Sequence, residues 1–187
     1  TSISGVDRKK AIRRGQVIHR LLEVLPGLSP DRQDAAAARV IHANLSSFGD
    51  DQVSQAEASS WLNEAQKVMA MPDLADLFAP EAFAELPIGG LVGDHVVSGV
   101  IDRLVIGADS VIFADFKTGQ VPDQKSGISG QYLVQMGLYY RLLQDIFPQH
   151  QIKPSLIFTE GPIVFWLDPV ELETAIKTII NKDQAAS

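Results

Sequence analysis

Residues 98–119 read SGVIDRLVIGADSVIFADFKTG: two apolar, β-branched runs separated by Gly107-Ala108-Asp109-Ser110. That pattern predicts a β-hairpin. Aspartate is depleted from strands, yet Asp102 and Asp115 both fall inside the runs, while Asp109 sits in the turn. With the four intervening residues as the loop, Ile106 faces Val111, and counting back sets Asp102 opposite Asp115. Side chains alternate along a strand, so Asp115 and Lys117 share one face.

The preceding strand extends the row. Gly93-Asp94 reads as a two-residue hairpin turn between strands at 83–92 and 95–106. Val92 then faces His95, and Glu85 falls opposite Asp102. Gly89-Gly90 marks a place where a bulge would shift this register. Like charges facing one another across strands, roughly 5 Å apart, destabilise a sheet. Solvent on that face relieves the repulsion, and so does a hard divalent cation, which prefers carboxylate oxygens. The row reads as a metal site, with Lys117 beside it to act on the attacking water.

Composition narrows the remaining possibilities. The 187 residues are 45 % hydrophobic and 21 % charged, as expected for one soluble domain. No apolar run approaches the roughly 18–20 residues of a membrane span. The absence of cysteine excludes disulfides, thiolate nucleophiles and iron–sulfur ligation. No G-x-x-x-x-G-K-[ST] phosphate loop is present. Lys and Arg number 16 against 23 Asp and Glu, a net charge of −7, which argues against a generic nucleic-acid binder. The first twenty residues run the other way: Arg8, Lys9, Lys10, Arg13, Arg14 and Arg20 face a single acid, Asp7. Such a run serves either as a solvated helix face or as a phosphate contact. The opening Thr1 suggests a piece of a longer protein.

Hydrophobic periodicity supplies the other elements. Ile18, Leu21, Leu22 and Leu25 make a buried stripe on a helix at 9–25, ended by Pro26-Gly27. Helices follow at 31–46 and 54–71, with a short one to Phe78. After the three strands come a helix at 129–147, strands near 152–158 and 163–167, and a helix from Pro169 to Lys182. The order is α/β, with an N-terminal helical layer (1–80) before a mixed central sheet flanked by helices (81–187).

The segments GVIDRL and FADFKTG together resemble the D…(D/E)-x-K signature of the PD-(D/E)XK nucleases. RGQVIHRLLEVLP (14–26) resembles the G-x-x-x-H-x-L-L-E helix of their RecB-like branch, and QMGLYYRLL (135–143) resembles its Q-x-x-x-Y helix; ELPIGG (85–90) agrees as well. The likeness runs from about residue 13 to 167. It is greatest to the C-terminal nuclease domains of AddA proteins in bacterial AddAB helicase–nucleases, with RecB close behind. AddB nucleases carry a cysteine-ligated cluster, which this cysteine-free chain lacks. Ile101-Asp102 stands where the family name has Pro-Asp.

The resemblance implies a restriction-endonuclease-like core and Mg²⁺-dependent hydrolysis of DNA phosphodiester bonds, with one or two ions. It implies that Asp102, Asp115, His19 and the main-chain carbonyl of Phe116 bind metal, and that Lys117 orients or deprotonates water or stabilises the charged phosphorane. Glu85 takes the place of an auxiliary acid, and Gln135 and Tyr139 line the path of the DNA strand. It further implies an upstream ATP-driven helicase that delivers single-stranded DNA and a partner of AddB type. With these come a role in double-strand-break repair and a bacterial cytoplasmic setting. A stand-alone RecB-like exonuclease of a phage or mobile element fits the same motifs, as does a nuclease-like module that binds without cutting.

Other residues have plainer readings. Glu23, one turn beyond His19, is a candidate acceptor for its imidazole. His42, His95 and His150 read as structural, and Trp61, Trp166, Met69 and Met71 as core.

Overall fold

The computed structural model describes residues 5–46 and 53–180, and its elements follow the hydrophobic pattern. They are α1 (Gly5–Val24), α2 (Pro30–Ser46), α3 (Gln55–Met69), a 3-10 turn (Pro72–Phe78), β1 (Phe83–Val92), β2 (His95–Ile106), β3 (Ser110–Lys117), α4 (Gly130–Ile146), β4 (Gln151–Phe158), β5 (Ile163–Trp166) and α5 (Pro169–Ile180). The expected end of the last helix at Lys182 lies outside the described residues. No helix among the described residues is long and apolar enough to cross a membrane.

Two compact units emerge from the chain's own contacts. One takes the chain up to Pro80 together with Phe116–Val121 and Phe158–Ile163; the other takes Glu81–Asp115, Pro122–Ile157 and the chain from Val164 onward. The helical unit therefore includes two short segments, from the ends of β3 and β4, that a simple split at residue 80 assigns elsewhere.

In the helical unit α1 packs against α2 and α3. Its expected stripe of Ile18, Leu21, Leu22 and Leu25 is fully buried, joined by Ala37 and Ile41 of α2 and by Trp61, Ala65 and Val68 of α3. Helix α3 starts at a capping box. Ser54 Oγ accepts from the Glu57 N–H at 3.2 Å, and Glu57 Oε2 accepts from the Ser54 N–H at 2.9 Å. The helix stops before Pro72, which holds Met71 extended at φ −70° and ψ 120°.

The five strands are ordered β1-β2-β3-β4-β5. β1 and β2 are antiparallel from Phe83↔Leu104 to Val92↔His95, as are β2 and β3 from Arg103↔Ala114 to Ile106↔Val111. Both hairpin turns are those expected, with Gly93 supplying a positive φ of 61°. β4 runs parallel to β3. Gln151 N–H to Asp109 O (2.9 Å), Ser155 Oγ to Phe113 O (3.1 Å) and Thr159 N–H to Lys117 O (3.0 Å) keep one constant offset along both strands. Parallel pairing requires a crossover, and α4 provides it. The sheet is thus mixed. Helix α4 packs on α5 and on β1, burying Met136, Tyr139, Tyr140, Leu142 and Leu143.

Three expectations need correction. Gly89 and Gly90 hold no bulge: they pair in unshifted register with Ser98 and Val97. Gly90 serves close packing, since a Cβ there would lie 2.8 Å from Leu142 Cδ2. Trp166 is 42 % exposed on β5, the outermost strand of the sheet, where one face has no neighbour to bury it. Met69 and Met71 are only half-buried, while Trp61 is in the core as expected.

Candidate active site

The carboxylate row is built by strand register. The β2–β3 ladder runs to Arg103↔Ala114, and one step further sets Asp102 opposite Asp115. The β1–β2 ladder passes from Ala84↔Arg103 to Leu86↔Ile101, which leaves Glu85 level with Asp102. Glu85 and Asp102 bring carboxylate oxygens within 4.8 Å of one another. Asp102 is 8 % and Asp115 5 % exposed, whereas Glu85 is open to solvent.

Glu85 also has an unusual backbone. Its φ is 49°, the only positive value for a non-glycine among the described residues. A side chain with a Cβ is strained there, and strain of this kind concentrates at functional sites.

Helix α4 reaches the second aspartate. Gln135 Nε2 donates to Asp115 Oδ1 at 3.0 Å. Tyr139, one turn on, is buried against the hairpin: a Cβ on Gly99 would lie 1.9 Å from its hydroxyl oxygen. Gly99 is what allows the ring to lie there. Of the two helix residues, Gln135 meets the row and Tyr139 supports the strand beneath it.

The end of β3 carries Phe116 and Lys117. His19 approaches the Phe116 ring edge-on, with centroids 5.8 Å apart and planes at 87°. Phe78 stacks parallel to the same ring at 6.2 Å. The spacing of Gly15 and His19 has a physical cause. A Cβ on Gly15 would lie 2.9 Å from Thr118 Oγ1, so the helix can approach the strand end only with glycine there. One turn later His19 then meets Phe116. Glu23 forms an ion pair with Arg20, one turn back on α1.

The basic start of α1 is not simply a solvated face. Arg13 is 4 % exposed, and Arg14 is engaged with Thr118, Glu64 and Glu160, whereas Arg8, Lys9, Lys10 and Arg20 face solvent. Sequence reasoning does not single out Arg14, Glu64 and Thr159; their only signal is that Arg14 immediately precedes Gly15. The other histidines keep plain roles: His42 is exposed on α2, and His150 packs edge-on to Phe147 at 5.6 Å.

The donors in the row are hard oxygen atoms: two buried carboxylates side by side and a third at the open end. Bringing them together costs repulsion that a divalent cation would cancel, so the residues fit Mg²⁺ or a similar ion.

Known proteins agree with this arrangement. The family described as the PD-(D/E)XK nuclease superfamily matches residues 3–184. An ATP-dependent helicase/nuclease protein of Moorella thermoacetica, the AddA-type member of its complex, is 32 % identical over 88 residues, which is 46 % of this chain and only 6 % of that protein. A solved structure from Eubacterium rectale, described as an exonuclease, superposes with a TM-score of 0.52 at 8 % identity, covering 85 % of this chain and 64 % of that one. At that identity the likeness is one of fold, and it is the same mixed sheet with flanking helices. This chain belongs to the PD-(D/E)XK nuclease superfamily.

Proposed function

We infer that the chain is a divalent-metal-dependent nuclease that hydrolyses DNA phosphodiester bonds as an exonuclease. The observation that carries the reading is the register of the two hairpins. It aligns Glu85, Asp102 and Asp115 across three strands, with Lys117 two residues beyond the last. In this reading Asp102, Asp115, His19 and the Phe116 carbonyl hold Mg²⁺. The edge-on contact of His19 with Phe116, the residue after Asp115, supports His19's membership.

A cation bound there would supply Lewis acidity and neutralise charge developing on the phosphate. The chain's own groups do the rest. Lys117 presents an ammonium to the attacking water and to the phosphorane oxygens, where it is worth most in the transition state. Glu85, exposed at the row's open end, is placed to accept a proton from water. Gln135 fixes the rotamer of Asp115 through its 3.0 Å hydrogen bond. Tyr139 and Gln135 border the path of the strand.

We further propose that the domain works within an AddA-type helicase–nuclease, on single-stranded DNA delivered by an ATP-driven motor. It would act beside an AddB-type partner in the bacterial cytoplasm, in recombinational repair of double-strand breaks. The match to a helicase/nuclease protein favours this setting over a stand-alone enzyme. The chain's net charge of −7 is consistent with partners supplying most phosphate contacts.

The test is direct cleavage of a labelled single-stranded oligonucleotide in Mg²⁺. Wild type should cut, and Lys117→Ala should lose roughly 10²–10³-fold in rate while still binding cation. Full-rate cutting by Asp102→Asn would remove the proposed site.

A further inference from the structure

The geometry points to Arg14, Glu64 and Thr159 as positioning residues for Lys117, a role that rests on the nuclease reading above. All of them belong to the helical unit, together with the end of β3. Lys117 is the last residue of β3, so the carbonyls that follow its side chain leave the strand ladder and need partners. Two of the three residues provide them. The Thr159 N–H donates to Lys117 O at 3.0 Å. Arg14 Nη1 donates to Thr118 O.

Glu64 ties those two partners together. Arg14 Nη2 donates to both Glu64 oxygens, at 2.8 and 2.7 Å, and Thr159 Oγ1 donates to Glu64 Oε1 at 2.5 Å. The result is a closed bracket. It runs from Lys117 O through Thr159 to Glu64, and from Glu64 through Arg14 to Thr118 O. Side-chain exposure of Arg14 is 22 % and of Glu64 12 %, and Thr159 is fully buried. Charges so placed carry a desolvation cost that apolar packing between α1 and α3 would avoid. What the polar version adds is direction. It pins the peptide planes after Lys117, and those planes fix where its ammonium points. Gly15 lets α1 come close enough to Thr118 for Arg14 to reach.

The experiment uses the 187-residue chain with a labelled single-stranded oligonucleotide in Mg²⁺, with Ca²⁺-induced thermal stabilisation as a separate measure of cation binding. Glu64→Gln and Thr159→Val should each lower kcat by about 10- to 100-fold, leaving KM and the Ca²⁺ shift unchanged. Thr159→Ser keeps the hydroxyl and should restore the wild-type kcat. Combined with Lys117→Ala, neither variant should slow cleavage beyond Lys117→Ala alone, because its effect passes through that side chain. Arg14→Lys, which keeps a donor and a charge but loses the fork, should fall between wild type and Glu64→Gln if Arg14→Ala does not fold.

Wild-type kcat in Glu64→Gln with only a lowered melting temperature would overturn the proposal. So would losses that multiply with Lys117→Ala. An unaffected Lys117→Ala overturns the nuclease reading and this one with it, whereas a crippled Lys117→Ala beside an unaffected Glu64→Gln overturns the bracket alone.

Discussion

Gln135 on α4 donates through Nε2 to Oδ1 of Asp115 on β3 at 3.0 Å, a contact made between residues twenty positions apart. Asp115 is 5 % exposed, so this donor replaces water that the carboxylate gave up on burial. It is also neutral, and neutralises nothing of the row's charge. That combination orients the carboxylate while leaving its charge for a cation.

Gln135→Met keeps the length of the side chain and removes the donor. A hydrogen bond to a charged group is worth about 1.5–3 kcal/mol, and denaturant unfolding in EDTA should show a loss of that order. Cleavage should fall as well, because Asp115 gains rotamer freedom. Unfolding curves identical to wild type would mean that the contact contributes nothing to holding the aspartate.

Cation binding should be visible without any DNA. A ligand that binds only the folded state stabilises it by RT ln(1 + [L]/Kd), about 2.7 kcal/mol at a hundredfold excess over Kd. Mg²⁺ or Ca²⁺ should raise the wild-type melting temperature, and Asp102→Asn should abolish the rise. The same substitution should leave the metal-free protein at least as stable, since it removes repulsion with Glu85, whose carboxylate oxygen lies within 4.8 Å. His19→Ala should shrink the metal response, whereas His42→Ala, on the exposed side of α2, should not. Equal responses in the two histidine variants would reduce His19 to a packing partner of Phe116.

Much of this site is legible in turn chemistry. Gly93-Asp94 and the four-residue loop at 107–110 set both hairpin registers, and alternation does the rest for Glu85, Asp102 and Asp115. The helix stripe of α1 is legible because its period is local. The bracket around Lys117 is not, since Arg14 meets Glu64 fifty residues away and Thr118 more than a hundred away, and no periodicity connects them. Counting along the strands sets Glu85 at the right level but says nothing of its backbone. Glycines advertise unusual φ, which is why Gly89-Gly90 suggests an irregularity; a glutamate held at φ 49° carries no such signal. Trp166 departs from expectation for a related reason: size and hydrophobicity suggest burial, but an outermost strand has no neighbour on one side.

A pH-dependent contribution lies far from the row, at the start of α3. The Glu57 carboxyl is held below its ordinary value, first by the Ser54 backbone N–H and then by the Ser54 hydroxyl. A carboxylate whose pKa is depressed on folding adds stability above its unfolded pKa, about 4.3 for glutamate. That stability is lost as pH falls through the folded value. Glu57→Gln should therefore be less stable than wild type at pH 7, and the gap should close below about pH 4. Denaturant midpoints measured at both ends of that range decide it; a gap of constant size would leave the charge no part in the cap. Ser54→Ala, which loses the side-chain half of the box, should cost about 1 kcal/mol at neutral pH.

Glu85 joins strain and charge at one position, and the two can be separated. Its φ of 49° disfavours any residue with a Cβ, at a cost on the order of 1–3 kcal/mol, and its carboxylate faces that of Asp102. Glycine adopts that angle freely. Glu85→Gly removes both burdens, whereas Glu85→Gln removes the charge and keeps the strain. In EDTA the order of melting temperatures should be Glu85→Gly above Glu85→Gln, and Glu85→Gln above wild type. With Mg²⁺ and a single-stranded oligonucleotide the activity order should invert, wild type cutting fastest, because the proton acceptor at the open end of the row is lost in both variants. A residue whose replacement stabilises the fold and slows the reaction is one held in place for function. If Glu85→Gly is instead less stable than wild type, the neighbouring strand pairs must be relying on the glutamate side chain, and the strained backbone is a consequence of packing rather than of catalysis.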